Sequence, residues 1–250
     1  MRVGMLLLLC WVFPVNAGAD GQRVQLLHEV RTRSHLLCSS ALLYFSPALR
    51  SPDTRVLASS YDSLNLLATR TVQLEQPETM VEALGDMQRL FRTLERMPRQ
   101  DAGRYPELLM QLLQAQRSMD DWAAEQLLQQ TEAGDAVLRA LHQQSLEMAR
   151  LLLDYQASKY PFAAGSYQRL SMDQRQTLDR GISQRFERLR GNAQLATSLA
   201  GVYRNYRFVR AQFLANDAQN SSGGIEFYLA RSIIDLDELA AQAAAQSSNP

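Results

Sequence analysis

Apolar residues return every three or four positions along most of this chain, and that rhythm confines it to helices lying side by side. The seam is cleanest at Leu195, Leu199, Val202, Tyr206, Val209 and Phe213, where steps of three and four keep one stripe aligned on a 3.6-residue turn. No stretch alternates with period two, so strands are not expected.

Proline, glycine and capping residues divide the rhythm into segments. A first helix is expected over about 22–45, before Pro47. Ser51-Pro52-Asp53 opens a second to about Glu75, with a capping serine, a proline in the first turn and an acid beside the positive helix end. Pro77-Glu78 opens a third that ends before Pro98, and Pro106-Glu107 a fourth. Within the fourth, Ser118 to Asp121 resembles a capping box, which predicts a break or kink there. A fifth helix runs from beyond Gly134 to about Tyr160, and Ser171 with Gln174 caps a sixth that reaches Gly191. The last two are expected over about 192–215 and 225–245.

Short connections make sequential helices antiparallel, and such regular stripes favour shallow, coiled-coil-like crossings. The expected fold is therefore all-α: an elongated up-and-down bundle of seven or eight helices, as one bundle or as two sharing helices. Residues 20–245 read as one helical-bundle domain with a subdivision near 161–166, and residues 246–250 as a flexible tail.

The N-terminus has a different character. Arg2 precedes an apolar run from Met5 to Val15, and Val15-Asn16-Ala17 and Ala17-Gly18-Ala19 each place small residues at the −3 and −1 positions of a cleavage site. Residues 1–19 thus read as a secretory signal peptide, removed after Ala17 or Ala19. As a helix the run reaches roughly 17 Å, short of the ~30 Å hydrocarbon core, so no membrane insertion is expected after cleavage. Lys159 is the only lysine, and glutamine and alanine abound. That composition suggests a bacterial genome rich in G and C, hence a periplasmic or secreted protein.

The whole chain has 26 basic and 26 acidic residues, so loss of Arg2 leaves a charge near −1 and no long-range pull toward nucleic acid. The neutrality is uneven. Nine arginines lie between Arg169 and Arg210, whereas five acids follow Asn216 against Arg231 alone. The simplest expectation is that the last helix lies along the sixth and seventh so that opposite fields meet. Loss of Cys10 leaves Cys38 alone, so no disulfide staples the fold.

Few residues suggest chemistry. His28, His35 and Cys38 follow H-x6-H-x2-C. His28 sits about 15 Å along a helix axis from Cys38, so the usable metal-ligating fragment is His35 with Cys38, joined by a donor such as His142. Arg204 and Arg207 share a helical face beside Tyr203, a pairing suited to a carboxylate or another small anion. There is no G-x-S-x-G elbow, Glu-x-x-His di-iron motif or Cys-x-x-Cys-His haem site. No cofactor and no enzymatic activity are expected.

In architecture alone, the plan is similar to bacterial extracytoplasmic sensing domains and periplasmic accessory bundles. The leading expectation is an exported interaction protein of the cell envelope, acting on a protein partner as adaptor, chaperone-like or accessory factor. The alternative is a soluble binding or sensing protein for a small anionic ligand held by Arg204 and Arg207.

Overall fold

A computed structural model describes residues 17–47, 53–130, 135–214 and 224–247. The apolar run of the expected signal peptide, the Ser51-Pro52 pair and residues 248–250 of the expected tail lie outside these residues. The elements are α1 (Ala17–Tyr44), α2 (Thr54–Gln73), α3 (Glu78–Arg96), a 3-10 turn (Arg99–Arg104), α4 (Tyr105–Leu128), α5 (Ala136–Lys159), α6 (Met172–Arg190), α7 (Ala196–Leu214) and α8 (Gly224–Ser247). The protein is all-α, with eight antiparallel helices and no strand among the described residues. None of the described helices is long and apolar enough to cross a membrane.

Several ends follow from local chemistry. Asp53 caps α2 by accepting from the Arg55 N–H at 2.9 Å, and Asp135 caps α5 through Val137 N–H. Ser171 and Gln174 form the full reciprocal box of α6. The expected break in α4 is absent. Ser118 turns its hydroxyl back onto the Gln114 carbonyl, Asp120 faces α1, and the helix runs unbroken to Leu128. Between α2 and α3, Glu75 and Gln76 both have positive φ, of 66° and 53°. Two consecutive non-glycine residues in that region make a tight, strained reversal, closed by the Gln76 N–H on the Thr71 carbonyl.

Two closed rings of helices result. In the first, α1 packs on α2, α2 on α3, α3 on α4 and α4 back on α1. In the second, α5 packs on α6, α6 on α7, α7 on α8 and α8 back on α5. The rings join because α1 also lies against α5 and α8. Residues 161–166 connect α5 to α6 inside the second ring. The first core holds Leu27, Met87, Phe91 and Leu109 and takes Leu153 and Ala157 from α5 and Tyr160 just beyond its end. The second holds Phe186, Tyr206, Phe213 and Ile233 and takes Leu36 from α1.

α1 is unlike the other helices because it touches four neighbours. Between Gly21 and Tyr44 only Gln22 is exposed. Leu36 enters the second core and Leu37 the first, since consecutive helical residues point about 100° apart.

Truncating either leucine opens a cavity that packed neighbours cannot fill. Leu36→Ala and Leu37→Ala are each expected to lower stability by about 2–5 kcal/mol, with one shared unfolding transition in urea followed by circular dichroism. Two separated transitions would show that the rings unfold independently.

Candidate functional site

The residues singled out in the sequence fall in three places. His35 and Cys38 lie one turn apart on α1, both buried. The Cys38 thiol points at the Leu112 carbonyl, 3.8 Å away, and burial pushes it well above the ordinary thiol range, which keeps it protonated and poorly nucleophilic. His35 Nδ1 lies 2.8 Å from the Arg31 carbonyl and 3.2 Å from the Gln116 amide. His142, the proposed third donor, stacks instead on His28, with ring centroids 4.0 Å apart. Among the described residues, no group of three His, Cys, Asp or Glu side chains is arranged to hold a metal ion.

Arg204 and Arg207 are exposed on α7. The Arg207 guanidinium lies 5.7 Å from the Tyr203 ring centroid, and Arg190 covers the same ring at 4.7 Å. The Tyr203 hydroxyl donates to Glu187 at 2.8 Å, and Arg190 approaches that carboxylate at 3.7 Å. This is an open cluster in which Glu187 already supplies the anion. The acids of α8 do not meet the arginines of α6 and α7 either. Arg210 grips Asp179 through two contacts of 2.6 Å, Arg185 binds Glu147 and Arg175 binds Asp154. Among the α8 acids, Asp235 pairs within its own helix, and Glu226 and Asp237 turn inward.

A cleft of about 650 Å³ lies between α4, α5 and the start of α6, and His35 of α1 also lines it. Its polar wall is built from distant parts of the chain. Asp120 accepts from Arg31 at 2.5 Å and from Arg150 at 3.4 Å. Asp154 accepts from the Leu170 N–H and from Arg175, each at 2.8 Å. Burial raises the Asp154 carboxyl, and its two donors pull it back. Burial also raises Asp120, but His35, Arg31 and Arg150 outweigh it, so that carboxyl stays below its ordinary value. Arg117, also in the wall, has no ion-pair partner among the described residues.

The densest polar cluster was not visible in the sequence. It lies where α1 meets α5 and α8. The Gln25 amide donates to Glu29 at 2.8 Å and to the Asp237 carbonyl at 3.3 Å, and its oxygen accepts from His142 Nε2 at 2.6 Å. Arg70 of α2 completes the chain on Glu29 at 2.5 Å. Thr32 donates to Asp237 at 2.7 Å. About two turns further along α1, Ser39 and Ser40 donate to Glu226 at 2.7 and 2.9 Å, with Gln156 at 3.2 Å. Burial pushes Glu226 up, and these three neutral donors oppose the shift.

The surface carries an aromatic edge where α7 and α8 meet. Phe208 and Phe227 are 65% and 63% exposed. Tyr228 bridges them, with ring centroids 5.1 Å from Phe208 and 5.5 Å from Phe227.

Two buried groups titrate in opposite senses. Burial pushes the Asp237 carboxyl up to about 7, against the pull of Thr32 and Arg33. The stability it gives is complete at pH below its unfolded value near 4 and is lost as pH rises through 7. Burial lowers His142 to about 4, and its Nδ1 has no hydrogen-bond partner. The stability tied to neutral His142 is lost as pH falls from about 6.5 through 4. The two effects oppose each other over the same range. Urea titrations across pH 4–8 should therefore show Asp237→Asn losing more stability than wild type toward acid. His142→Gln should lose more toward neutral pH, and profiles parallel to wild type would refute the assignment.

Compared with known protein families, curated proteins and solved structures, the chain matches none.

Proposed function

We propose that the protein is an exported, non-enzymatic helical bundle that holds a protein partner in the cell envelope against the edge formed by α7 and α8. The observation that carries this reading is the pair of exposed phenylalanines, Phe208 and Phe227, joined through Tyr228. Large apolar residues scattered singly on a surface are ordinary, but a contiguous aromatic patch marks an interaction face. Aromatic anchors of this kind contribute disproportionately to interface affinity. The buried acids support the reading too, because most are matched by arginines within the fold. Few charges are left converging on a reacting centre.

The test is a photo-reactive residue placed at Phe208 or Phe227 in the exported chain. Leu128, 86% exposed on α4, serves as an apolar control site. Both edge positions should capture the same protein, and Leu128 should not. Phe208→Ser together with Phe227→Ser should abolish capture without moving the melting temperature by more than a degree or two. The mass of the captured chain should also begin after Ala17 or Ala19. Recovery of monomer alone would count against the reading.

A second reading, a receptor for a small anion, is favoured by the cleft beside His35, which Arg117 of α4 and Arg150 of α5 both line. Carboxylates, nitrate and phosphate should then raise the melting temperature, since a ligand at 100 times its dissociation constant adds ~2.7 kcal/mol. Arg117→Ala and Arg150→Ala should remove that rise. A shift lost instead in Arg204→Ala and Arg207→Ala would move the anion to α7.

A further inference from the structure

We propose that the groove between the end of α1, the start of α2 and the first turns of α8 binds a small apolar amine, whose ammonium group sits against the Glu226 carboxylate. Among the described residues, four of the other five buried carboxylates are ion-paired with an arginine, and the fifth, Asp237, feels one at a distance. Glu29 has Arg70, Asp120 has Arg31, Asp154 has Arg175, Asp179 has Arg210, and Asp237 lies in the field of Arg33. Glu226, only 4% exposed, has the hydroxyls of Ser39 and Ser40 and the amide of Gln156, and no cation among the described residues. A buried carboxylate is costly unless paired, so a cationic ligand has a place to act.

The oxygen available to it can be identified. Ser39 and Gln156 bond Oε2, and neither lines the groove. Ser40 bonds Oε1 and does line it, as Glu226 does. Oε1, with one donor against two on Oε2, is therefore the oxygen with lone-pair capacity left for a ligand.

The rest of the groove suits an apolar body. Its volume is about 550 Å³, within the range of small-ligand sites. Leu43, Val56 and Ile234 supply apolar wall, and the rings of Tyr44, Phe227 and Tyr228 stand around it. Aromatic faces attract an ammonium group and pack well on hydrocarbon. The two arginines at the rim do not reach Glu226. Arg55 is held by Asp53 at 2.6 Å and Arg231 by Asp235 at 2.9 Å, so their charges are already matched.

The groove shares Phe227 and Tyr228 with the proposed docking edge, but the proposal needs no partner and is tested on the purified chain alone, by calorimetry at pH 7.5. The probe is 2-phenylethylamine, with 2-phenylethanol as its neutral twin and phenylacetate as its anionic one. The amine should bind saturably, the alcohol at least tenfold more weakly, and phenylacetate not at all. Glu226→Gln, which removes the charge and keeps the shape, should weaken the amine at least tenfold. If that variant fails to fold, Phe227→Ala at an exposed wall position decides, and should weaken the amine several-fold while leaving the melting temperature unchanged. Equal binding of amine and alcohol, amine binding unaffected by either variant, or no binding of the amine up to millimolar concentration would each overturn the proposal.

Discussion

A helix surrounded on every side must bury whatever side chains it carries, and α1 carries many polar ones. Gln25, Glu29, Thr32, His35, Ser39 and Ser40 are all buried. Left unpaired, each would cost a large fraction of a domain's net stability. The fold answers by drawing partners from four other helices: Arg70 from α2, Gln116 and Asp120 from α4, His142 from α5, and Glu226 and Asp237 from α8. These contacts also give the two rings a defined relative register. An apolar seam tolerates sliding, whereas directional bonds at intervals along one helix do not.

Arginine does much of this matching. Its planar fork spans the gap between helices and grips a carboxylate with two donors, as Arg210 grips Asp179. Asp179 also accepts from Tyr206 at 2.8 Å, which ties the charged pair to the aromatic core of the second ring. A chain whose only lysine is Lys159 thus uses its arginines partly as structural cross-links, and not only as solvated surface charge. Asp237, with its partner cation at a distance, and Glu226, with none among the described residues, stand apart from that pattern.

Helix identity was legible because a periodic apolar stripe is a local signal. The seams of α3, α6 and α7 correspond to buried residues such as Met87, Ile182 and Val209, and Ser171 with Gln174 does cap α6. The polar interior was not legible. Gln25, Glu29 and Thr32 lie off the apolar spacing that marks a seam, and only the arrival of α5 and α8 makes theirs an inner face. Ser118 and Asp121 looked like a capping box that would break α4, yet Asp120 between them pairs with Arg31, 89 residues away. The opposite charges of the last third suggested a local match between neighbouring helices. Asp154 and Glu147 of α5 took two of those arginines instead, leaving α8 to face the hydroxyls of α1. Pairings over such separations depend on tertiary geometry that no spacing rule encodes.

Leu36 and Leu37 give α1 an unusual intolerance to changes of length. One residue added upstream of them within the helix would turn everything before it by about 100°. Side chains meant for one interior would then be delivered to the other, and each hydroxyl or amide would swing away from its acceptor. Insertions and deletions should therefore accumulate at the outer reversals, such as that between α6 and α7, and spare the central rod.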